Sequence, residues 1–191
     1  MTSWWWVRHG PTHQKAFTGW RDVPADLSDT AALQRLDAYL PKDALVVSSD
    51  LIRASTTADA FAGRRQRLES SPALREFDFG DWDGLTFPQV SERDPLLSRA
   101  FWDNPGDLAP PNGESWNDLG GRIGKFVQSI SNKHGQRDVI AVAHFGAILT
   151  QVAVATQSSP VKTISQKIDN LSVTRITYAP SPSAGPINHC P

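Results

Sequence analysis

Three short apolar runs, far apart along the chain, constrain its fold more than any other feature. They are SWWWV at residues 3–7, ALVVSS at 44–49 and DVIAVAH at 138–144. Each run is apolar at consecutive positions and not at alternate ones, which is typical of strands buried on both faces of a parallel sheet. Because such a sheet needs helices on both faces, the runs predict an α/β fold.

Helical patterns lie between and after these runs. Apolar residues recur at helical spacing over 33–40, 51–61 and 119–130. Ser115 and Asp118 have the spacing of a capping box ahead of the third pattern. Three glycines within that pattern are costly in a helix, so we expect them to allow close packing. They are Gly120, Gly121 and Gly124.

The end of the chain predicts edge strands. SVTRITY at 172–178 alternates like a half-exposed strand, and PINHC at 186–190 is expected to form another. The intervening APSPSAGP, 179–186, is expected to be a loop. Together the patterns predict one domain over residues 1–191, a three-layer αβα sandwich with a mostly parallel central sheet.

Composition excludes several classes of protein. Nineteen Lys and Arg against 20 Asp and Glu give a net charge of −1, which argues against a nucleic-acid or acidic-membrane partner. No apolar run approaches the ~20 residues of a membrane span, and the tryptophan-rich start lacks the basic region of a signal peptide. A single cysteine, Cys190, excludes an internal disulfide. We therefore expect a cytoplasmic protein.

Charged side chains stand where the predicted strands end. Arg8 and His9 end the first run, Arg53 lies in the first turn of the helix after the second, and His144 ends the third. In open α/β sheets, ligands bind beyond the carboxyl ends of the strands. The sequence therefore predicts that two imidazoles and two guanidinium groups meet at one edge of the sheet.

This set of side chains fits phosphoryl chemistry. Two guanidinium groups repel each other unless an anion lies between them, and their planar fork matches phosphate. A neutral imidazole can attack phosphorus and carry the phosphoryl group, and nearby cations disfavour the imidazolium form of His9. The leaving group needs an acid, which LREFDFGDWDG at 74–84 supplies. We predict Glu76 in that role, and spacing leaves three alternatives open: Asp78, Asp81 and Asp83.

These motifs, in this order, resemble the histidine phosphatase superfamily, also called the phosphoglycerate mutase-like family. VRHGPT, SSDLIRASTTA, LREFDFGDWDG and AVAHFGAIL are similar to its four site segments, and the likeness runs from about Trp4 to Cys190. The resemblance implies a nucleophilic histidine at His9, two phosphate-binding arginines, a proton donor and a second histidine. The last four map onto Arg8, Arg53, Glu76 and His144.

The chain departs from the family pattern at three points. Pro11 follows Arg-His-Gly where the family usually has an acidic residue. Lys15 occupies the position of a phosphate-binding asparagine, which makes Lys15 a candidate phosphate ligand. The family's second histidine usually precedes two glycines, and here Phe145 and Gly146 follow it. The backbone N–H of Phe145 is therefore a candidate donor to phosphate.

The predicted function is hydrolysis of a small phosphorylated metabolite through a phosphohistidine intermediate. No cluster has metal-ligand spacing, so we expect neither metal nor other cofactor. Two alternatives remain: a phosphoglycerate mutase-type transfer, typical of longer members of the family, and a non-catalytic protein that binds phosphorylated ligands.

Two segments bear on the substrate. FDFGDWDG and PNGESWNDLGGRI are similar to stretches of the α-ribazole phosphatases of cobalamin assembly, which favours α-ribazole 5′-phosphate over a broad set of phosphate esters. Residues 81–115 are expected to form a helical lid. Its tryptophans are expected mainly to pack in the core, with the pocket mouth as the alternative.

Overall fold

The strands and helices alternate along the first part of the chain, as the sequence predicts. The structure is a computed structural model that describes residues 3–135, 137–178 and 180–191. The strands are β1 (Ser3–Arg8), β2 (Leu45–Ser48), β3 (Gln66–Arg67), β4 (Val139–Ala143), β5 (Val173–Thr177) and β6 (Ser183–Ala184). The helices are α1 (Thr30–Tyr39), α2 (Ile52–Ala62), α3 (Phe87–Arg93), α4 (Pro95–Asp103), α5 (Trp116–His134), α6 (Phe145–Thr156) and α7 (Pro160–Ile164).

One mixed sheet organises the molecule, with strand order β3-β2-β4-β1-β5-β6. β1 to β4 are mutually parallel, whereas β5 and β6 run antiparallel to their neighbours. The three apolar runs form β1, β2 and β4, which lie side by side in the sheet. The predicted α/β fold with a mostly parallel sheet is confirmed.

Helices cover both faces of the sheet. Trp4 and Trp6 of β1 pack with residues of α5 and α6, including Leu119 and Ile148. The opposite face of the sheet packs on α1 and α2, through residues such as Leu36, Ala54 and Phe61. Because successive strand residues point to opposite faces, the unbroken apolar run of β1 supplies both cores.

The long helix α5 begins as the sequence predicts but packs differently. Ser115 and Asp118 form both hydrogen bonds of a capping box. A Cβ atom at Gly120 would lie 3.7 Å from the side chain of Thr150 on α6. At Gly121 and Gly124 it would meet nothing within 4 Å, so the expected close packing is wrong at these two glycines.

The antiparallel edge differs from the prediction. β6 lies within the predicted loop, whose first residue, Ala179, is outside the described residues. PINHC is not a strand: it joins β5 through one isolated bridge, between His189 and Val173. Asn188 has a φ of +55° and its N–H donates to the Thr174 hydroxyl, which interrupts an extended ladder.

Residues 81–115 contain α3 and α4. Trp82 and Phe101 in this segment are buried in the core shared with α5 and α6. None of the helices in the described ranges is both long and apolar enough to cross a lipid bilayer.

Candidate active site

A cavity of about 330 Å³ opens where β1, β4 and the start of α2 meet at the carboxyl edge of the sheet. Its lining includes Arg8, His9, Arg53, Glu76, Lys15 and Phe145. A larger cavity of about 400 Å³ lies between α5 and α6, but among the described residues Tyr178 is its only ionisable lining side chain. That hydroxyl is engaged with Trp6 and Gln151, so the first cavity is the candidate site.

The main chain around His9 is fixed on several sides. Its N–H donates to the Ala143 carbonyl over 3.1 Å, and its carbonyl accepts from the Asn170 side-chain amide over 2.8 Å. The N–H of Gly10 donates to the Thr57 hydroxyl over 3.0 Å. Since these partners come from β4, α2 and the residues before β5, the imidazole stands on rigid elements.

The tautomer of His9 follows from one contact. Its Nδ1 lies 2.7 Å from the carbonyl oxygen of Gly10, which can only accept, so Nδ1 carries the proton. The lone pair is therefore on Nε2. Burial, aided by the charges of Arg53 and Arg8, lowers the pKa of His9 to about 3. The imidazole is neutral at pH 7 and has the electronic state of a nucleophile.

The second histidine, His144, lies beside the first, with 5.0 Å between the two ring centroids. Its Nδ1 accepts from Nε of Arg53 over 3.2 Å, which places the proton of the neutral ring on Nε2. That Nε2 is buried without a partner among the described residues. Burial, together with the charges around it, lowers the pKa of His144 well below its usual value.

Carbonyl oxygens hold the two guanidinium groups. Arg53, only 1% exposed, donates to the carbonyls of Arg21 and Gly19 over 2.9 and 2.6 Å. Arg8 donates to the Ile168 carbonyl over 2.6 Å and lies 5.5 Å from the Phe145 ring centre. Within the described parts of the chain, neither arginine has a carboxylate within ion-pair distance, so both charges remain open to an anion.

Glu76 lies in an irregular segment between two 3₁₀ turns, Pro72–Leu74 and Gly80–Trp82. Its carboxyl oxygens accept from the N–H of Gly146 over 2.9 and 3.1 Å. Burial raises the pKa of Glu76 despite that bond and the nearby arginines. A Cβ atom at Gly146 would lie 2.5 Å from this carboxyl, so glycine is required there.

The three alternative aspartates bind elsewhere. Asp78 accepts from the N–H of Gly80, Asp81 pairs with Arg93, and Asp83 pairs with Arg21. None of the three lines the cavity, whereas Glu76 does.

Lys15 reaches only the edge of this cavity. Its side chain is exposed and makes no hydrogen bond or ion pair with the described residues. The structure thus brings together His9, His144, Arg8, Arg53 and Glu76, and leaves Lys15 at the rim. The wall beyond Lys15 is aromatic, formed by Phe17, Phe79, Phe87, Trp102 and Phe145.

Sequence reasoning missed the residues that hold the site through its main chain. Thr57 and Asn170 are the partners of Gly10 and His9. The available signals were the SSDLIRASTTA stretch, which contains Thr57, and the NLSVTRI stretch, which begins at Asn170. In the described ranges, no group of three or more His, Cys, Asp or Glu side chains is arranged to hold a metal ion.

The fold and this site define an α/β protein with paired imidazoles and unneutralised guanidinium groups at the end of a parallel sheet. Residues 4–183 match the model of the histidine phosphatase superfamily (branch 1). The chain belongs to that superfamily.

Relatives of known name give a range of activities. A phosphoglycerate mutase-like protein 4 from Arabidopsis thaliana is 34% identical over 74% of this chain and 66% of its own length. A glucosyl-3-phosphoglycerate phosphatase from Mycolicibacterium vanbaalenii is 33% identical over 81% of this chain and 74% of its own. The chain spans only 41% of a bifunctional protein of Mycobacterium tuberculosis that it matches.

Solved structures share the fold over nearly the whole chain. YhfR of Bacillus stearothermophilus has a TM-score of 0.89 at 27% identity, covering 99% of this chain and 98% of its own. A mycobacterial glucosyl-3-phosphoglycerate phosphatase in complex with VO3 has a TM-score of 0.83 at 27% identity, covering 99% and 100%.

Proposed function

We propose that the protein hydrolyses small phosphate monoesters through a phosphohistidine on His9. The observation that carries this proposal is what meets in one cavity: the neutral His9 imidazole with its lone pair on Nε2, a buried carboxyl group, and two guanidinium groups that have no carboxylate partner among the described residues. This arrangement suits an anion that accepts a nucleophile and expels a leaving group.

In the first step, Nε2 of His9 attacks phosphorus, so that an N–P bond forms and the P–O ester bond breaks. Arg8, Arg53 and the Nε2–H of His144 hold the phosphoryl oxygens as their charge is redistributed. The carboxyl of Glu76 gives its proton to the leaving oxygen, and burial raises the pKa of Glu76, which favours the protonated form that a general acid needs.

In the second step, the Glu76 carboxylate takes a proton from water, and the water oxygen attacks phosphorus. The N–P bond breaks, inorganic phosphate leaves, and both His9 and Glu76 return to their starting states. Lys15, an exposed residue of the cavity lining, remains a candidate phosphate ligand and would also attract an anionic substrate.

The substrate is a small metabolite whose leaving group contacts the aromatic wall. The relative named glucosyl-3-phosphoglycerate phosphatase, 33% identical, supports an ester of that kind. The proposal of α-ribazole 5′-phosphate as the substrate depends on the two short sequence stretches alone. The structures of α-ribazole phosphatases, at 21% identity, show only that the fold is shared.

A mutase is the second candidate. A 2,3-bisphosphoglycerate-dependent phosphoglycerate mutase from Brucella ovis is 28% identical over 85% of both chains. Because the two chains cover each other so well, length does not separate a mutase from a phosphatase here. In a mutase the phosphoryl group on His9 would return to a sugar acid and not to water.

One screen tests these proposals together. The protein is incubated with EDTA and a set of phosphate esters that includes glucosyl-3-phosphoglycerate, α-ribazole 5′-phosphate and 3-phosphoglycerate. We expect free phosphate from at least one ester, and a loss of at least about 10⁴-fold in His9→Ala. Isomerised 3-phosphoglycerate would identify a mutase, and activity that requires added metal would contradict the scheme.

The non-catalytic alternative is tested by the same samples. A protein that binds phosphorylated ligands, shown by a thermal shift, but turns over none of them would overturn the proposed hydrolysis.

A further inference from the structure

The proposed acid, Glu76, stands on a segment that has no regular secondary structure. Residues 75–79 lie between two 3₁₀ turns and belong to no helix or strand. Such a segment does not fix the direction of its side chains by itself, and an error of about 1 Å in a reacting group costs roughly 100-fold in rate. Something outside the segment must therefore hold the Glu76 peptide.

Arg122, on α5, is the main contact of this segment. Its Nη1 donates to the carbonyls of Ala73 and Arg75 over 3.0 and 3.1 Å, and its Nη2 donates to the carbonyl of Glu76 over 3.2 Å. A fourth carbonyl, that of Pro72, lies 3.4 Å from Nη1. One guanidinium group thus binds the carbonyl of the proposed acid and three carbonyls of the residues before it.

Trp20 provides a second donor to the same oxygen. Its indole N–H lies 2.9 Å from the Glu76 carbonyl, so that oxygen accepts from two side chains. Two guanidinium groups contact the indole ring: that of Arg75 lies 4.8 Å from the ring centre and that of Arg122 lies 5.9 Å from it. Cation–π contacts of this kind order the ring as well as its N–H.

Glu114 orients the arginine. Its carboxylate pairs with Nη2 and Nε of Arg122, and both side chains are at least four-fifths buried. The same carboxylate accepts from the N–H of Asp78 over 3.0 Å. The Arg122–Glu114 pair therefore joins α5 to the chain before and after Glu76.

We propose that Arg122 and Trp20 are positioning residues for Glu76: by holding its carbonyl, they keep its carboxyl directed at the leaving oxygen. This inference rests on the proposed function, because it needs Glu76 to be the acid. Neither residue lines the cavity, so neither touches the substrate.

The test compares a poor and a good leaving group. Phenyl phosphate needs an acid to expel phenol, whereas p-nitrophenyl phosphate releases a stable anion. The measured quantity is the ratio of the two kcat/KM values, because misfolding lowers both equally and leaves the ratio unchanged. Glu76→Gln removes the acid entirely and sets the lower limit of this ratio. We expect it to lower the ratio by about 100-fold or more.

We expect Arg122→Met and Arg122→Lys each to lower the ratio at least tenfold, since a single ammonium group cannot replace a fork that binds several carbonyls. Trp20→Phe, which keeps the ring and removes only the N–H, should lower it about threefold. The Trp20 and lysine variants also carry the test if Arg122→Met does not fold.

Arg65 offers a matched control. It likewise pairs with one carboxylate, that of Asp37, and donates to several carbonyls, but it precedes β3 at the opposite edge of the sheet. Arg65→Met should leave the ratio at the wild-type value.

The outcomes separate the two proposals. An inactive wild type, or a Glu76→Gln variant with an unchanged ratio, overturns the role of Glu76 and this inference with it. If Glu76→Gln lowers the ratio but the Arg122 and Trp20 variants do not, or if lysine restores it fully, only the positioning role is overturned.

Discussion

Two buried arginines, Arg65 and Arg53, show how differently the two edges of the sheet treat a positive charge. Arg65, at the amino edge, donates to carbonyls and forms an ion pair with Asp37. Arg53, at the carboxyl edge, also donates to carbonyls, but its Nε donates to the uncharged ring of His144. Within the described residues, no carboxylate forms an ion pair with Arg53.

The difference is the one expected between a charge that only stabilises the fold and a charge that binds a ligand. A buried charge without a counterion is costly, and proteins retain one chiefly where a ligand completes it. Arg8 resembles Arg53 in this respect: it donates to the Ile168 carbonyl and has no ion pair among the described residues. This arrangement supports the proposal that the two cations at the carboxyl edge bind an anionic substrate.

Substitution of the two arginines gives the largest expected contrast. Arg53→Met should lower kcat/KM for an aryl phosphate by about 10²–10³, because one preorganised cation is lost from the transition state. Arg65→Met should change kcat/KM less than twofold but lower the free energy of unfolding by about 2 kcal/mol. Steady-state kinetics and urea unfolding measure the two quantities. A similar loss of activity in both variants would remove the distinction between the edges.

Binding of inorganic phosphate tests the same difference between Arg53 and Arg65 without a catalytic reaction. At about 100 times its Kd, phosphate should stabilise the native protein by about 2.7 kcal/mol, which corresponds to a rise in Tm of roughly 5–10 °C. Arg65→Met should keep this rise, and Arg53→Met should lose most of it. Thermal unfolding in phosphate is compared with chloride at equal ionic strength. An equal rise in both variants would place the anion elsewhere.

The smallest expected effect concerns pH. The pKa of His9 is 6.5 in the unfolded chain and about 3 in the folded protein. Below pH 6.5 the unfolded chain therefore binds a proton that the native state does not. The stability that the neutral His9 gives to the folded protein is complete above pH 6.5 and is lost as the pH falls toward 3. Between pH 7 and pH 5, the free energy of unfolding of the wild type should fall by about 2 kcal/mol more than that of His9→Gln.

Urea unfolding at pH 5, 6 and 7 measures this difference. Arg65→Met should lose stability in parallel with wild type, because no histidine belongs to its contacts. Parallel curves for wild type and His9→Gln would mean that His9 is not held neutral.

The sequence predicted the sheet and the charged ends of its strands because both depend on local pattern. Buried parallel strands need unbroken apolar runs, and their carboxyl ends meet at one edge whatever the loops do. For that reason Arg8 and His9 were predicted from the first run and His144 from the third. Lys15 follows no strand, and its position at the rim depended on the path of a loop.

The residues that hold the site's main chain could not be predicted in this way. Asn170 binds a carbonyl, and Arg122 binds several, so their roles depend on tertiary distance and leave no periodic signal. The same limit explains the error at PINHC, where composition indicates a strand but a positive φ at Asn188 interrupts it. Gly121 and Gly124 were expected to pack closely on a neighbour, yet a Cβ atom at either position would meet no described atom within 4 Å.

The placement of β1 has a consequence for the design of variants. This strand pairs with β4 on one side and β5 on the other, so the residue that follows it, His9, cannot shift without disturbing the centre of the sheet. Phe87 and Trp102, on the cavity wall, belong instead to short helices remote from the sheet in sequence. Substitution of Phe87 and Trp102 therefore changes the cavity wall without disturbing β1, whereas exchange of all residues 81–115 would also replace Glu114, the partner of Arg122.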